Sequence, residues 1–136
     1  MTGWTDPDNR RTYPWGQENQ TLIEMHQALT QLRGELPVLK RGSVKALCAG
    51  DGLIAYARFD ENDVVLVVCN NLDHPQEVSL PVRDAGVPDG SAIHRVFTTN
   101  AQGFQKTGEL AGHAEMGQFQ ITMEAQSAVI LHPLMQ

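Results

Sequence analysis

A chain of 136 residues, 41% hydrophobic and 19% charged, has the size of one ordinary domain and enough apolar content to bury a core. Sixteen acids against ten Lys and Arg leave a net charge of −6 with no basic stripe, which argues against nucleic acid as a partner. No apolar run approaches the roughly 18–20 residues that cross a bilayer, and polar Thr5-Asp6-Pro7-Asp8-Asn9-Arg10-Arg11 is not the core of a signal peptide, so no membrane association is expected.

Residues 1–16 carry Pro7, Pro14, Gly3 and Gly16 and read as loop, yet they hold Trp4, Tyr13 and Trp15, three of the eight aromatics. From about 19 to 34 the pattern turns helical. Leu22, Met25, Leu29 and Leu32 recur at steps of three, four and three, one stripe on a helix of period 3.6. Asn19 or Thr21 can cap its start, Thr21 with Glu24 as a capping box, while Gly34 suits its end and Pro37 forbids continuation.

Beyond Gly42 short strands alternate with turn residues: Val44 to Cys48, Leu53 to Phe59, Val64 to Cys69, Gln76 to Leu80, Ala92 to Thr98, Phe104 to Thr107, Gln118 to Met123 and Ser127 to His132. Asp60 to Asp63 reads as a four-residue hairpin loop. Asn70-Asn71, Pro81, Pro88-Asp89-Gly90 and Gly108 to Gly117 supply breaks. Leu53, Ala55, Ala57 and Phe59 share one face of their strand, and Phe97 and Phe119 point inward by the same alternation. Val64 to Cys69 is apolar on both faces, which a strand tolerates only when covered on both sides. The fold class that follows is mainly β: an antiparallel β-sandwich of about eight strands after an irregular loop and one α-helix. Cys48 and Cys69 fall in apolar strands and read as buried reduced thiols, which lean toward a cytoplasmic setting without deciding the compartment.

The stretch from Gly3 through Asp6-Pro7-Asp8-Asn9-Arg10-Arg11 to Trp15, the helix ending Gln31-Leu32-Arg33, and Leu36-Pro37-Val38-Leu39-Lys40-Arg41-Gly42 together resemble the α-amylase family of glycoside hydrolases. The likeness is to the neopullulanase, cyclomaltodextrinase and maltogenic-amylase branch. Trp4, where the family often has a small residue, and Thr12, where it has Pro, depart from its pattern. The resemblance implies that residues 1–41 are the remnant of the last βα unit of a (β/α)8 barrel, with loop 1–18 and the helix at about 19–34. Residues 42–136 are then the C-terminal antiparallel β-sandwich domain. A barrel of this kind needs about 250 residues, so it is expected to be a missing partner, and α-glucan substrate is expected to be met only through the parent enzyme.

Asp6 and Arg10 are the substrate-binding residues that the resemblance implies, in a loop at the face of the barrel where active sites are built. A carboxylate accepts from sugar hydroxyls, and a guanidinium four residues on can hold it while keeping N–H donors free. From the residues alone the pair reads first as an Asp-initiated turn with Arg10 and Arg11 pairing to it, and only the resemblance turns the balance toward substrate binding. No catalytic residue is assigned, since the family's carboxylates lie upstream of the matching loop, and the chain alone is expected to be inactive. The five scattered histidines, His26, His74, His94, His113 and His132, form no metal-ligand spacing, and no metal or cofactor is expected. Nor do Glu109, Glu115 and Glu124 suggest a glycosidase pair. The expected role is that of an accessory, structural domain of an enzyme acting on α-glucans or cyclic maltooligosaccharides. The alternatives are a free-standing carbohydrate-binding module, which the lack of Trp in the strands disfavours, and an oligomerisation domain forming a homo-oligomer.

Overall fold

In the computed structural model, which describes residues 5–7 and 9–134, helix α1 spans Gln20–Glu35. Asn19 fixes its start: the Leu22 backbone N–H donates to the Asn19 side-chain oxygen at 3.1 Å, satisfying a donor that no helical carbonyl reaches. Thr21 lies inside the helix, so the capping box with Glu24 does not form at its start. The helix also runs through Gly34. It stops after Glu35 because Pro37 pushes Leu36 out of the helical region, to φ −110° and ψ 97°. Pro37 then caps a second, four-residue helix, α2 (Val38–Arg41), too short for periodicity to announce.

Eight antiparallel strands follow: β1 (Ser43–Gly50), β2 (Leu53–Phe59), β3 (Val64–Asn70), β4 (Gln76–Leu80), β5 (Ala92–Asn100), β6 (Gly103–His113), β7 (Phe119–Met123) and β8 (Ser127–Leu134), with a 3-10 turn at Val82–Ala85. They form a six-stranded sheet in the order β1-β2-β3-β8-β5-β6 and a two-stranded sheet β4-β7. The core lies between the two sheets: Ala55, Ala57, Leu66, Val68 and Leu131 of the large sheet meet Val78, Leu80, Phe119, Ile121 and Met123 of the small one. Helices α1 and α2 cover the opposite face of the large sheet, where α2 contacts β2 and β3.

These three layers explain the two-sided strand β3. Val64, Leu66 and Val68 face the small sheet, and Val65 and Val67 face the helical layer; Val65 and Leu66 are both fully buried. At about 25 cal/mol per Å² of apolar surface, a strand covered on both faces buries the most per residue. The β2–β3 hairpin closes as expected through Asp60, whose Oδ1 accepts from the backbone N–H groups of Asn62 and Asp63 at 2.9 and 3.0 Å.

Two expectations are corrected. The stretch from Gly108 to Gly117 is no simple break, because β6 continues through Gly108 to His113 before turning. It is an outer strand of the large sheet, where glycines cost packing only on one side. Phe97 is buried but does not face the inter-sheet core. The register of β5 slips between Arg95 and Phe97 against both β6 and β8, so one extra residue there reverses the alternation. Phe97 pairs with Ile130 and lies on the helical side, stacked on Phe104 at 5.7 Å between ring centroids.

Cys48 and Cys69 are both free and half-buried. Cys48 pairs with Ala55 on the core side, whereas Cys69 pairs with Ile54 on the other face of the sheet, so the two thiols do not converge. Burial pushes the Cys69 thiol above its ordinary pKa. Cys69 is expected to react with a disulfide reagent at pH 8 severalfold more slowly in the folded chain than in urea, where its thiolate fraction recovers. Equal labelling rates in both states would contradict that burial.

Candidate functional site

The loop before α1 brings the two sequence-predicted site residues together. An Arg10 Nη2–H donates to Asp6 Oδ2 at 2.5 Å, and both side chains are exposed, at 72% and 60%. The local chain places them: the Asn9 N–H donates to the Thr5 carbonyl at 3.2 Å and the Arg10 N–H to the Pro7 carbonyl at 3.0 Å, winding one turn that sets residues 6 and 10 side by side. Among the described residues this is the one side-chain bond of the pair, and it engages Oδ2 of Asp6 and Nη2 of Arg10. An exposed pair of this kind contributes about 0–1 kcal/mol to stability.

Beyond the ion pair the loop presents aromatic surface. Trp15 is 82% exposed, and its ring meets Tyr13 edge-on at 4.7 Å between centroids. Trp4, singled out with them, lies outside the described residues. The exposed surface continues onto α1, where Leu22, Ile23, His26, Gln27 and Thr30 line a shallow depression facing away from the sheet. His26 Nδ1–H donates to the Leu22 carbonyl at 2.7 Å and is tied to its own helix. The opposite stripe of α1, Met25, Leu29 and Leu32, packs toward the large sheet. The sandwich thus covers one side of the helix, and the other side leaves Leu22 and Ile23 uncovered among His26, Gln27, Thr30 and Gln31.

The remaining chemistry-bearing residues are structural in their surroundings. His132 bonds Asp63 at 2.7 Å between Nε2 and Oδ1. The neighbouring His74 ring, bonded at 2.9 Å, holds the exposed Asp73 carboxyl below the ordinary carboxylate range. Asp89 ties two turns, accepting from Gly117 N–H at 2.6 Å and from Arg83 at 2.8 Å. Glu124 accepts from the Asn100 side chain at 2.7 Å. Among the described residues no group of three His, Cys, Asp or Glu could hold a metal ion, and no helix is long and apolar enough to cross a membrane.

One feature that the sequence did not single out is a cavity of about 320 Å³ between α1 and the large sheet. It is lined by Met25, Leu29, Phe97 and Ile130 and by the guanidinium-bearing Arg33 and Arg58. Strand alternation sets Arg58 on the face opposite Ala55 and Ala57, the face that α1 overlies.

Comparison with known proteins agrees with this architecture. The family described as alpha amylase, C-terminal all-beta domain, matches residues 45–134. A cyclomaltodextrinase of Geobacillus thermopakistaniensis (strain MAS1) is 33% identical over 90 residues, which are 63% of this chain and 15% of that protein. Neopullulanase 2 of Thermoactinomyces vulgaris is 38% identical over 90 residues with the same shares. An Anoxybacillus α-amylase of known structure superposes on all of this chain with a TM-score of 0.76 and 25% identity, over 27% of its own length. An α-amylase from Geobacillus thermoleovorans complexed with acarbose shares the fold at a TM-score of 0.79 and 21% identity, again over the whole chain and 28% of its own. The chain spans about 15% of the length of these two curated relatives. With its two packed antiparallel sheets and the match across 45–134, the chain belongs to the C-terminal all-β domain family of the α-amylases.

Proposed function

We propose that this chain is the C-terminal portion of an α-amylase-family enzyme acting on α-glucans or cyclic maltooligosaccharides. In this reading residues 1–41 complete a (β/α)8 barrel and residues 42–136 form the accessory sandwich that covers its last helix. The observation that carries it is α1 itself, with one side on the sheet and the other, around Leu22 and Ile23, open. The full-length superposition on about a quarter of an α-amylase supports the same arrangement, since a barrel packed on the open face would account for the remaining length. Trp15 and Tyr13 would then be covered by the barrel, and the sandwich would stabilise the enzyme without touching substrate.

An antibody raised against this chain tests the reading on source cells. The expected band runs roughly four times above 15 kDa, as the Anoxybacillus relative implies. A band at 15 kDa would overturn it in favour of a free-standing module, for which Trp15 fluorescence should show a saturable response to millimolar maltooligosaccharide.

Asp6 and Arg10 would bind sugar from the loop. In the full-length enzyme, Asp6→Ala and Arg10→Ala are each expected to raise KM for maltooligosaccharides by about tenfold or more while leaving the melting temperature within a degree or two, as charge-assisted hydrogen bonds to a substrate warrant. A lowered melting temperature with KM unchanged would assign the pair to loop stability.

A further inference from the structure

The cavity between α1 and the large sheet combines two features that packing alone leaves unexplained. Its walls are mostly apolar, with Met25, Leu29, Phe97 and Ile130 among them, and the same space is lined by Arg33 and Arg58 and by the hydroxyl-bearing Tyr56 and Thr99. Arg33 is exposed and donates to the Leu39 carbonyl at 2.5 Å; Arg58 is half-buried and donates through Nη2 to the Gly42 carbonyl at 2.7 Å. Each guanidinium thus uses one donor on a helix-end carbonyl. Among the described residues neither is within ion-pair distance of a carboxylate; Arg58 Nε, like Arg95 Nε, is buried without a hydrogen-bond partner, so a ligand in the cavity would have to meet Arg58 through its Nη–H groups. A half-buried guanidinium without a counter-charge favours an anionic acceptor at its reachable donors. In a chain of net charge −6 this is a local excess of positive charge beside an apolar space.

At about 320 Å³ the cavity is at the lower end of ligand sites, which run from about 300 to 1,000 Å³, and about twice an engineered apolar cavity that accepts benzene. A neutral apolar molecule would leave the guanidinium unsatisfied. An inorganic anion would leave the apolar walls uncovered.

We propose that this cavity binds a small amphipathic carboxylate, with its apolar body between α1 and the sheet and its carboxylate accepting from Arg58. The site is distinct from the Asp6–Arg10 loop.

Octanoate is the probe, titrated into the 136-residue chain and followed by amide chemical shifts, with octanol and maltose as comparisons. Saturable octanoate binding is expected, with shifts concentrated at Met25, Leu29, Phe97 and Ile130, octanol about tenfold weaker, and no response to maltose at these positions. Arg58→Gln keeps a donor for the Gly42 carbonyl but removes the charge. It should weaken octanoate by about tenfold and leave octanol unchanged. No saturable binding, equal affinity for octanoate and octanol, or shifts that map elsewhere would each overturn the proposal. If Arg58→Gln does not fold, the octanoate-to-octanol comparison on the unsubstituted chain decides alone.

Discussion

Replacing Asn70 by alanine is expected to lower the unfolding free energy by about 3 kcal/mol, and by aspartate at least as much at neutral pH. Asn70 ends β3 with only 2% of its surface exposed. Its Nδ2 donates to the His74 carbonyl at 3.0 Å and the Glu124 carbonyl at 2.8 Å, and its Oδ1 accepts from the Leu72 N–H at 3.1 Å. One side chain therefore joins the end of the large sheet to both turns that lead to and from the small sheet. Alanine removes all three bonds. The Glu124 carbonyl still accepts from Ser127 Oγ at 2.8 Å, so the cost falls mainly on the His74 carbonyl and the Leu72 N–H. Aspartate can still accept from Leu72 but turns a carboxylate toward two carbonyls, which raises its folded pKa above the unfolded value of about 3.9. The sign follows: the penalty is absent below that value and grows as pH rises through it, so Asn70→Asp should lie closer to the native chain at pH 4 than at pH 7. Urea unfolding followed by circular dichroism at both pH values measures this. A loss under 1 kcal/mol for alanine, or an aspartate deficit independent of pH, would refute the clamp.

Asn70 also marks where sequence reading stops. An Asn-Asn pair after an apolar run signals a turn, and it is one; nothing in the one-dimensional pattern says that the first amide is buried and bonded across 54 residues to Glu124. What the sequence did make legible rests on periodicity. Of the predicted stripe, Met25, Leu29 and Leu32 lie on the sheet while Leu22, in the first turn of the helix, stays exposed; the two-sided apolarity of β3 required the three layers that are found. The errors among the strands have one physical origin, the local irregularity of β5 and β6. Alternation predicts a face only while the register is regular, and the bulge between Arg95 and Phe97 moves Phe97 from one side of the sheet to the other. In the candidate site, the four-residue spacing of Asp6 and Arg10 was enough to anticipate their ion pair, because one turn of chain brings such residues together. The cavity beside Arg58 could not be anticipated, since it arises where a helix and a sheet distant in sequence fail to close fully.

The chain holds a pair of glycines whose substitution by alanine should act in opposite directions. Gly42, between α2 and β1, has an ordinary φ of −63°, so its need for glycine is steric and not conformational. A Cβ there would lie 2.6 Å from the Val38 carbonyl oxygen, 2.8 Å from Val38 Cγ2 and 2.9 Å from the Phe59 carbonyl oxygen. Two of those three atoms are backbone, held by the Gly42 N–H bond to Val38 at 2.9 Å and by the β1–β2 ladder that pairs Ser43 with Phe59. No side chain can swing aside to make room. Gly42→Ala must open the junction of helical layer and sheet, and with it the Arg58 bond to the Gly42 carbonyl, at an expected cost of about 3 kcal/mol or more. Gly34, inside α1, has open space around its Cβ position. Alanine there restricts the unfolded chain and favours the helix, so Gly34→Ala should raise stability by about 0.5–1 kcal/mol. Thermal unfolding of the two variants beside the native chain decides the matter. Tm should fall by roughly 10 °C for Gly42→Ala and rise by a few degrees for Gly34→Ala. Equal and small shifts would mean that the corner between α2 and β1 yields easily, and that the close packing of Gly42 against two carbonyls does not fix how the helices sit on the sandwich.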